Sequence, residues 1–356
     1  MEIGLGVDAG AGLTFAEHRD VARTAARRGY ESCWTPSGVG QDAFLVCAQW
    51  WAASREVLPG GLATGISVVP VPIWTAPALA TAAATLSELT AGRFTLGIGS
   101  GSIHNPAYRH SLGLPDWAPL PLMRDYLLTV RALLAGERLD YAGPALRLHG
   151  VSLGRRPPPV PVVLGALGPR MLRLAGEVAD GAALNWCTPE QVAWSREQVA
   201  AGAARTGRDA AGVRIVEYIR ICVDEDEPTA RRAYTRAIMG YALAPQGGSK
   251  EHGYRAHFAR MGFDAALSGL EARRDRGATQ DELIEQFPDN LLRMVGYYGP
   301  AAYAAAAFAR LARGLDTAIV RVVPARTGVE AVLAVLEACR PELVRAAGRD
   351  EVVQEG

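Results

Sequence analysis

Eight short runs of β-branched and apolar residues recur along this chain, each followed by a longer segment of helical spacing, and this alternation limits the possible folds more than any other feature. The strand candidates are residues 3–7, 32–35, 62–69, 94–100, 160–165, 181–185, 213–222 and 317–323. Helical periodicity covers 14–28, 42–54, 75–89, 119–135, 170–177, 189–206, 299–313 and 328–340. Strands separated by helices pair in parallel, and eight such units fit a closed (β/α)8 TIM barrel better than an open doubly wound sheet. Two stretches exceed ordinary loop length: 139–159 after the fourth βα unit, which reads as a hairpin around Gly143-Pro144, and 224–298 after the seventh, which is mostly helical. Long insertions cover a site or build an interface. With no dividing linker, residues 1–356 are expected to form one domain.

Several helices announce their own ends. Thr14 with Glu17 forms a capping box, in which each side chain satisfies a free N–H of the first turn, and Gly29 follows the last periodic residue. Thr188-Pro189-Glu190-Gln191 repeats the signal, with proline where its missing N–H costs nothing.

Charge and cysteine content narrow the function. Lys plus Arg number 37 and Asp plus Glu 37, so no net excess exists to hold a nucleic-acid backbone or an anionic bilayer. No apolar run approaches the ~18 residues that cross a membrane, and the first residues lack a secretory signal pattern, which leads to the expectation of a cytoplasmic protein. The five cysteines are far apart, without CxxC or Cys/His ligand spacing, so neither a disulfide framework nor a metal site is expected. His252 and His257 stand five positions apart, off a common helical face. Trp50 and Trp51 read as packing residues in the shell or at a dimer contact, or one of them as a wall of the substrate pocket.

In a barrel, chemistry gathers at the carboxyl ends of the strands. That rule selects Ser37, residues 67–71, 100–105, 165–168 and 185–188, Arg220, and either Arg321 or Arg326. The fourth-strand run from Leu96 to Pro106 is glycine-rich but lacks GxGxxG, and Pro106 does not read as the opening of a pyrophosphate-binding helix, so a Rossmann reading fails. Its small residues admit a flat ligand or pack the mouth tightly. The segment Val163–Arg170 is a glycine-rich turn into a helix, either an anion seat or a plain connection.

The residues Gly65-Ile66-Ser67-Val68-Val69-Pro70, Gly92 to Gly101, Leu164 to Pro169 and Ala175 to Gly181 occur in the order of the bacterial luciferase-like superfamily, which the chain resembles over nearly its whole length. The resemblance is nearest to the coenzyme F420-dependent branch, which includes methylenetetrahydromethanopterin reductase and F420-dependent glucose-6-phosphate dehydrogenase. It implies a TIM-like barrel with a deazaflavin or flavin ring across its mouth. It also implies a third-strand bulge with a non-prolyl cis bond, here Ser67–Val68, behind the ring. By the same likeness Ser100, Gly101 and Asn105 line the ring or its side chain, Ser37 sits at the ring edge, and Gly165, Ala166, Leu167, Asn185 and Trp186 hold the phosphate.

The chain departs from the sugar-phosphate dehydrogenases at two places. Ser37-Gly38 stands where they carry an Asp-His pair, and Ser102 where they carry a glutamate, so glucose-6-phosphate oxidation is not expected. A reductase needs less from the protein, because the cofactor carries the hydride and one proton donor suffices. His104, Tyr218 and Ser102 are the candidates, in that order. The function expected is an F420-dependent oxidoreductase passing a hydride to an activated C=C or C=N bond of a small molecule. The alternatives are an FMN-dependent monooxygenase served by a separate reductase and a non-catalytic flavin-binding barrel. Family resemblance adds a homodimer, and Lys250, Arg255 and Arg260 could attract the anionic tail of F420.

Overall fold

The computed structural model describes residues 1–38, 40–103 and 105–355. The strands are β1 (Glu2–Gly6), β2 (Ser32–Thr35), β3 (Ala63–Pro70), β4 (Phe94–Gly99), β5 (Leu139–Ala142), β6 (Arg147–Val151), β7 (Val162–Gly165), β8 (Gly181–Asn185), β9 (Arg214–Val223), β10 (Gly296–Gly299) and β11 (Thr317–Val322). The helices are α1 (Phe15–Arg27), α2 (Ala43–Ser54), α3 (Ala76–Leu89), α4 (Pro106–Leu112), α5 (Pro119–Leu134), α6 (Pro169–Val178), α7 (Pro189–Arg205), α8 (Glu227–Ala242), α9 (Gly253–Phe258), α10 (Asp264–Asp275), α11 (Gln280–Glu285), α12 (Asp289–Met294), α13 (Ala304–Leu311), α14 (Val329–Ala338) and α15 (Pro341–Glu355).

Eight strands close into a parallel barrel in the order β1-β2-β3-β4-β7-β8-β9-β11, with β11 returning to β1 and β9 bonded to both β8 and β11. The expected alternation therefore holds, and both capping boxes form as read from Thr14 and Thr188. The interior is filled by unequal partners. Trp34, Val216, Tyr218 and Ile319 make the inner cluster, and a Cβ on Gly65 would stand 2.2 Å from the Trp34 ring. Glycine on β3 is what lets a tryptophan from β2 cross the axis. Between strands and helices lies a larger apolar shell that includes Ile3, Leu5, Ile66, Leu96, Leu164 and Ile219. Trp50 is wholly buried there, its indole N–H donating to His18.

The two insertions differ in position. Residues 139–159 join the end of α5 to the start of β7, at the amino end of the barrel, and form the antiparallel β5–β6 hairpin. Asp125 of α5 anchors that hairpin, accepting from Tyr141 Oη at 2.7 Å and from the Ala145 and Leu146 amides. The hairpin is thus no cover for the mouth, because it belongs to a helix-to-strand connection. Residues 224–298 leave the carboxyl end of β9 instead. They build α8 to α12 and β10, which extends the edge of β9 beyond the end of β8, and a second apolar cluster centred on Tyr234, Phe258, Ile284 and Tyr298. Among the described residues no helix is long and apolar enough to cross a membrane, and all five cysteines are buried and unbridged.

Candidate active site

The third strand supplies the most distinctive backbone. Pairing between β3 and β4 slips between Ile66 and Val69, and the Ser67–Val68 bond is cis. Ile66 and Val69 are fully buried, whereas Val68 between them is only half-buried. Its side chain leans across two neighbouring strands: a Cβ on Gly99 would stand 2.6 Å from Val68 Cγ2, and one on Gly165 would stand 3.3 Å from Cγ1. The Ser37 amide donates to the Val68 carbonyl at 3.3 Å. Residues expected at the site from three separate loops, Ser37, Ser67-Val68 and Gly165, are therefore assembled around one bulge.

The fourth-strand loop forms the adjoining rim. Ser100 is half-exposed, Ser102 is exposed, and Gly101 has φ +59° with Pro70 close to where a Cβ would be. His104 lies outside the described residues. Asn105 spends its side-chain oxygen on the Ala107 amide at 2.9 Å, capping α4, with Pro106 in the first helical position. The polar run before Pro106 thus does start a helix, one of seven residues.

At the fifth-strand turn, Ala166 is buried and its amide donates to Ala183 O at 3.1 Å. That commitment to the sheet removes the Ala166 N–H as a phosphate donor, correcting the sequence expectation. Leu167 is half-buried and its carbonyl accepts from Arg260 at 3.2 Å. Gly168 caps α6 without a side chain to offer, so the first-turn amides stay open to an anion.

The opposite wall is polar. Arg220 on β9 and Arg321 on β11 are register partners, and each is 3% exposed. Arg321 pairs with Asp8, just past β1, and lies over the Tyr218 ring at 4.2 Å. Burial works against its charge, and Asp8 more than restores it, raising the guanidinium above its ordinary value. Arg220 is stacked on the Trp186 ring at 3.7 Å, with the Tyr241 ring 5.1 Å away, and donates to Asn185 Oδ1. Asn185 in turn donates to Tyr254 Oη at 2.7 Å. Of the two C-terminal arginines left open by the sequence, Arg321 faces the mouth, while Arg326 is exposed and paired with Asp224.

Two expected site residues are corrected here. The Trp186 side chain is wholly buried against Tyr234, Tyr241 and Phe258, so its ring cannot reach a phosphate. Tyr218 is 3% exposed in the barrel interior, and burial holds its phenol far above the ordinary value, the wrong direction for a proton donor. Lys250 and Arg255 are drawn into ion pairs with Glu271 and so are not waiting for an anionic tail.

Asp8 is missing from the sequence selection, although the rule of carboxyl strand ends applied to β1 would have found it. Tyr241 and Tyr254 carry no such signal, because they come from the insertion. Behind the wall, Glu217 accepts from the Cys187 amide at 2.7 Å, and His257 Nε2 lies 2.8 Å from Trp186 O. Burial pushes the Glu217 carboxyl up to about 8 and pulls the His257 imidazole down to about 4. A cavity of about 220 Å³ at the amino end of the barrel is rimmed by Arg93 and by charges already paired, Glu2 with Arg214 and Asp180 with Arg131. The mouth, with its half-buried Val68 and open donors, is the better candidate.

Comparison with known proteins places these features in context. Residues 2–318 match the family described as luciferase-like monooxygenase. The 5,10-methylenetetrahydromethanopterin reductase of Archaeoglobus fulgidus is 30% identical over 236 residues, covering 63% of this chain and 70% of that protein. The F420-dependent glucose-6-phosphate dehydrogenase of Beutenbergia cavernae is 34% identical over 181 residues, 47% of this chain and 51% of that one. Among solved structures, the coenzyme F420-dependent tetrahydromethanopterin reductase of Methanopyrus kandleri superposes with a TM-score of 0.72 at 18% identity, covering 96% of this chain and 99% of that one. That last likeness speaks for the fold.

Proposed function

This chain belongs to the luciferase-like monooxygenase family, and from that premise we propose that it is an F420-dependent oxidoreductase, working as a reductase on an activated C=C or C=N bond of a small organic molecule. The observation that carries the reading is the seat around Val68. A half-buried apolar side chain at the barrel mouth, flanked by strands that lack a Cβ at Gly99 and Gly165, offers a flat apolar surface to a ring. The relatives named for F420 favour a deazaflavin over FMN.

In this reading Ser67 and Val68 touch the underside of the ring, and Ser37, Ser100 and Gly101 line its edge. Leu167 and the first turn of α6 hold the phosphate. Asn105 serves by its side-chain amide, since its oxygen caps α4, and Asn185 by the second N–H of its amide, the first being given to Tyr254. The bound cofactor supplies the hydride. The protein's tasks are to fix the ring against β3, to keep water from one face with the 224–298 segment, and to deliver one proton. His104 is the assigned donor, with Ser102 as the second candidate, because an imidazole titrates near neutral pH and the fourth-strand loop borders the seat. Ser37-Gly38 and Ser102 supply no base for oxidising a sugar hydroxyl, which favours reduction over the dehydrogenase direction.

The test is a pair of titrations of the cofactor-free protein, with F420 and with FMN, followed by fluorescence. Tight F420 binding, with consumption of reduced F420 by enones or imines and no oxygen uptake, is the expected result. Binding of FMN alone would move the chain to the monooxygenase reading and require a separate reductase; binding of neither would leave a non-catalytic barrel. The assembly we propose is a homodimer, for which the exposed Phe15 and Leu45 on α1 and α2 are contact candidates. Light scattering at micromolar concentration checks it.

A further inference from the structure

We propose that the substrate carries a carboxylate, and that Arg220, with Arg321 beside it, is the group that holds it. The inference rests on the reading of the mouth as the active site. In an eight-membered ring of strands, β9 stands diametrically across from β3. Arg220 and the Val68 bulge therefore face each other across the mouth, and a ring seated on Val68 presents its free face toward Arg220.

The charges on this wall do not balance. Two guanidiniums on register-paired residues, Arg220 and Arg321, are matched by a single ion-paired carboxylate, Asp8. Glu217, three residues before Arg220, bonds the Cys187 amide on the other side of the wall, and burial pushes its carboxyl toward the protonated form. Among the described residues no carboxylate lies within ion-pair distance of Arg220. Stacking on Trp186 offsets part of the cost of burying its charge. Arg220 still has no ion-pair partner of its own, the Asp8 charge reaching it only from its pair with Arg321.

Hydrogen bonding is incomplete in the same place. An arginine has five N–H donors in a planar fork, and Arg220 uses one nitrogen, on Asn185 Oδ1. Its other nitrogens have no partner in the protein and are not sealed from solvent. The Tyr218 hydroxyl below Arg321 is buried with no partner, as is the second oxygen of Asp8. A cation stacked on one aromatic ring with a second at its side, with an open planar fork and an idle hydroxyl donor nearby, matches a carboxylate bound by two parallel hydrogen bonds. The surplus of one charge favours this monoanion over a doubly charged phosphate. The cofactor phosphate is assigned elsewhere, at the start of α6.

Crotonate and crotonamide are nearly the same size and differ in charge, so their binding to the protein, by calorimetry with and without F420, tests the inference. Crotonate is expected to bind at least tenfold more tightly than crotonamide. Arg220→Met should abolish that preference, Arg220→Lys should keep most of it, and Arg326→Met should leave it unchanged. Equal binding of the two probes to the wild-type protein, which needs no variant to fold, would overturn the inference. So would a crotonate preference that survives Arg220→Met. Crotonate preference in a protein that binds no F420 would sink the cofactor reading and leave this one standing.

Discussion

Val68 Cγ2 lies 2.6 Å from where a Cβ on Gly99 would stand, a separation that side chains do not sustain, so the bulge of β3 and the glycine of β4 form one unit. Gly99→Ala must push Val68 out of its seat. We expect at least a tenfold loss of F420 affinity and a stability cost of roughly 1–3 kcal/mol, the usual penalty for an overpacked site. Gly165→Ala, at 3.3 Å from Cγ1, should do the same more mildly. Fluorescence titration and chemical denaturation measure the two effects, and an unchanged affinity in Gly99→Ala would remove Val68 from the cofactor seat.

A second prediction concerns pH. The Glu217 carboxyl is raised from 4.5 to about 8 by burial, so the folded protein holds a proton that the unfolded chain releases. Its contribution to stability is fully present below 4.5 and is lost as pH rises through about 8. His257 is lowered from 6.5 to about 4, again by burial, so its contribution is present above 6.5 and is lost as pH falls through about 4. Between 4.5 and 6.5 the two slopes oppose each other. Glu217→Gln removes one of them while keeping an acceptor for the Cys187 amide. Melting curves of that variant should show stability falling with acid below pH 6.5, and a gain over wild type that is larger at pH 8 than at pH 5. A difference independent of pH would contradict the assignment.

The crossing of α6 and α7 is another place where a methyl group is not tolerated. A Cβ on Gly176 would stand 2.0 Å from Val199 O, and one on Gly202 would stand 2.0 Å from Arg173 O. Both obstacles are backbone and cannot swing away. Gly176→Ala and Gly202→Ala should each cost about 3 kcal/mol by separating the helices. Denaturant midpoints measure this, and a loss below about 0.5 kcal/mol would mean that the helices are not held as closely as described.

For turnover, His104→Ala should lower kcat at least tenfold while leaving F420 affinity and KM within twofold, as expected of a group that donates one proton. Ser102→Ala should have a smaller effect. Unchanged kcat in His104→Ala would return that residue to a solvated loop and pass the role to Ser102 or to a water molecule.

What was legible in the sequence follows from what is local. Strand and helix positions emerged from apolar spacing, and the ends of α1 and α7 from capping boxes, because each signal involves residues within a turn or two of one another. The (β/α)8 architecture followed, since strands joined through helices have few ways to pair. The Ser67–Val68 bond was legible only through family resemblance. Residues at strand ends were also correctly brought to one rim, as with Ser37 beside Val68. The direction of each side chain was less accessible. Ala166 sits in the expected turn, yet its amide belongs to the sheet, and Asn105 sits on the expected loop, yet its oxygen caps a helix.

By itself the sequence determined the order of elements, the closure of the barrel and the end at which chemistry gathers, because periodicity and capping are written into neighbouring residues. Only the tertiary structure decided which charges meet. Asp8 and Arg321 are 313 positions apart, and Tyr254 reaches Asn185 from 69 positions away. It also placed the 139–159 hairpin on α5, away from the mouth, and left Arg220 stacked on Trp186 beside Tyr241 without an ion-paired acid. Charge balance at a buried site is a sum over whatever the fold brings within a few ångströms, and that sum has no local pattern in the chain.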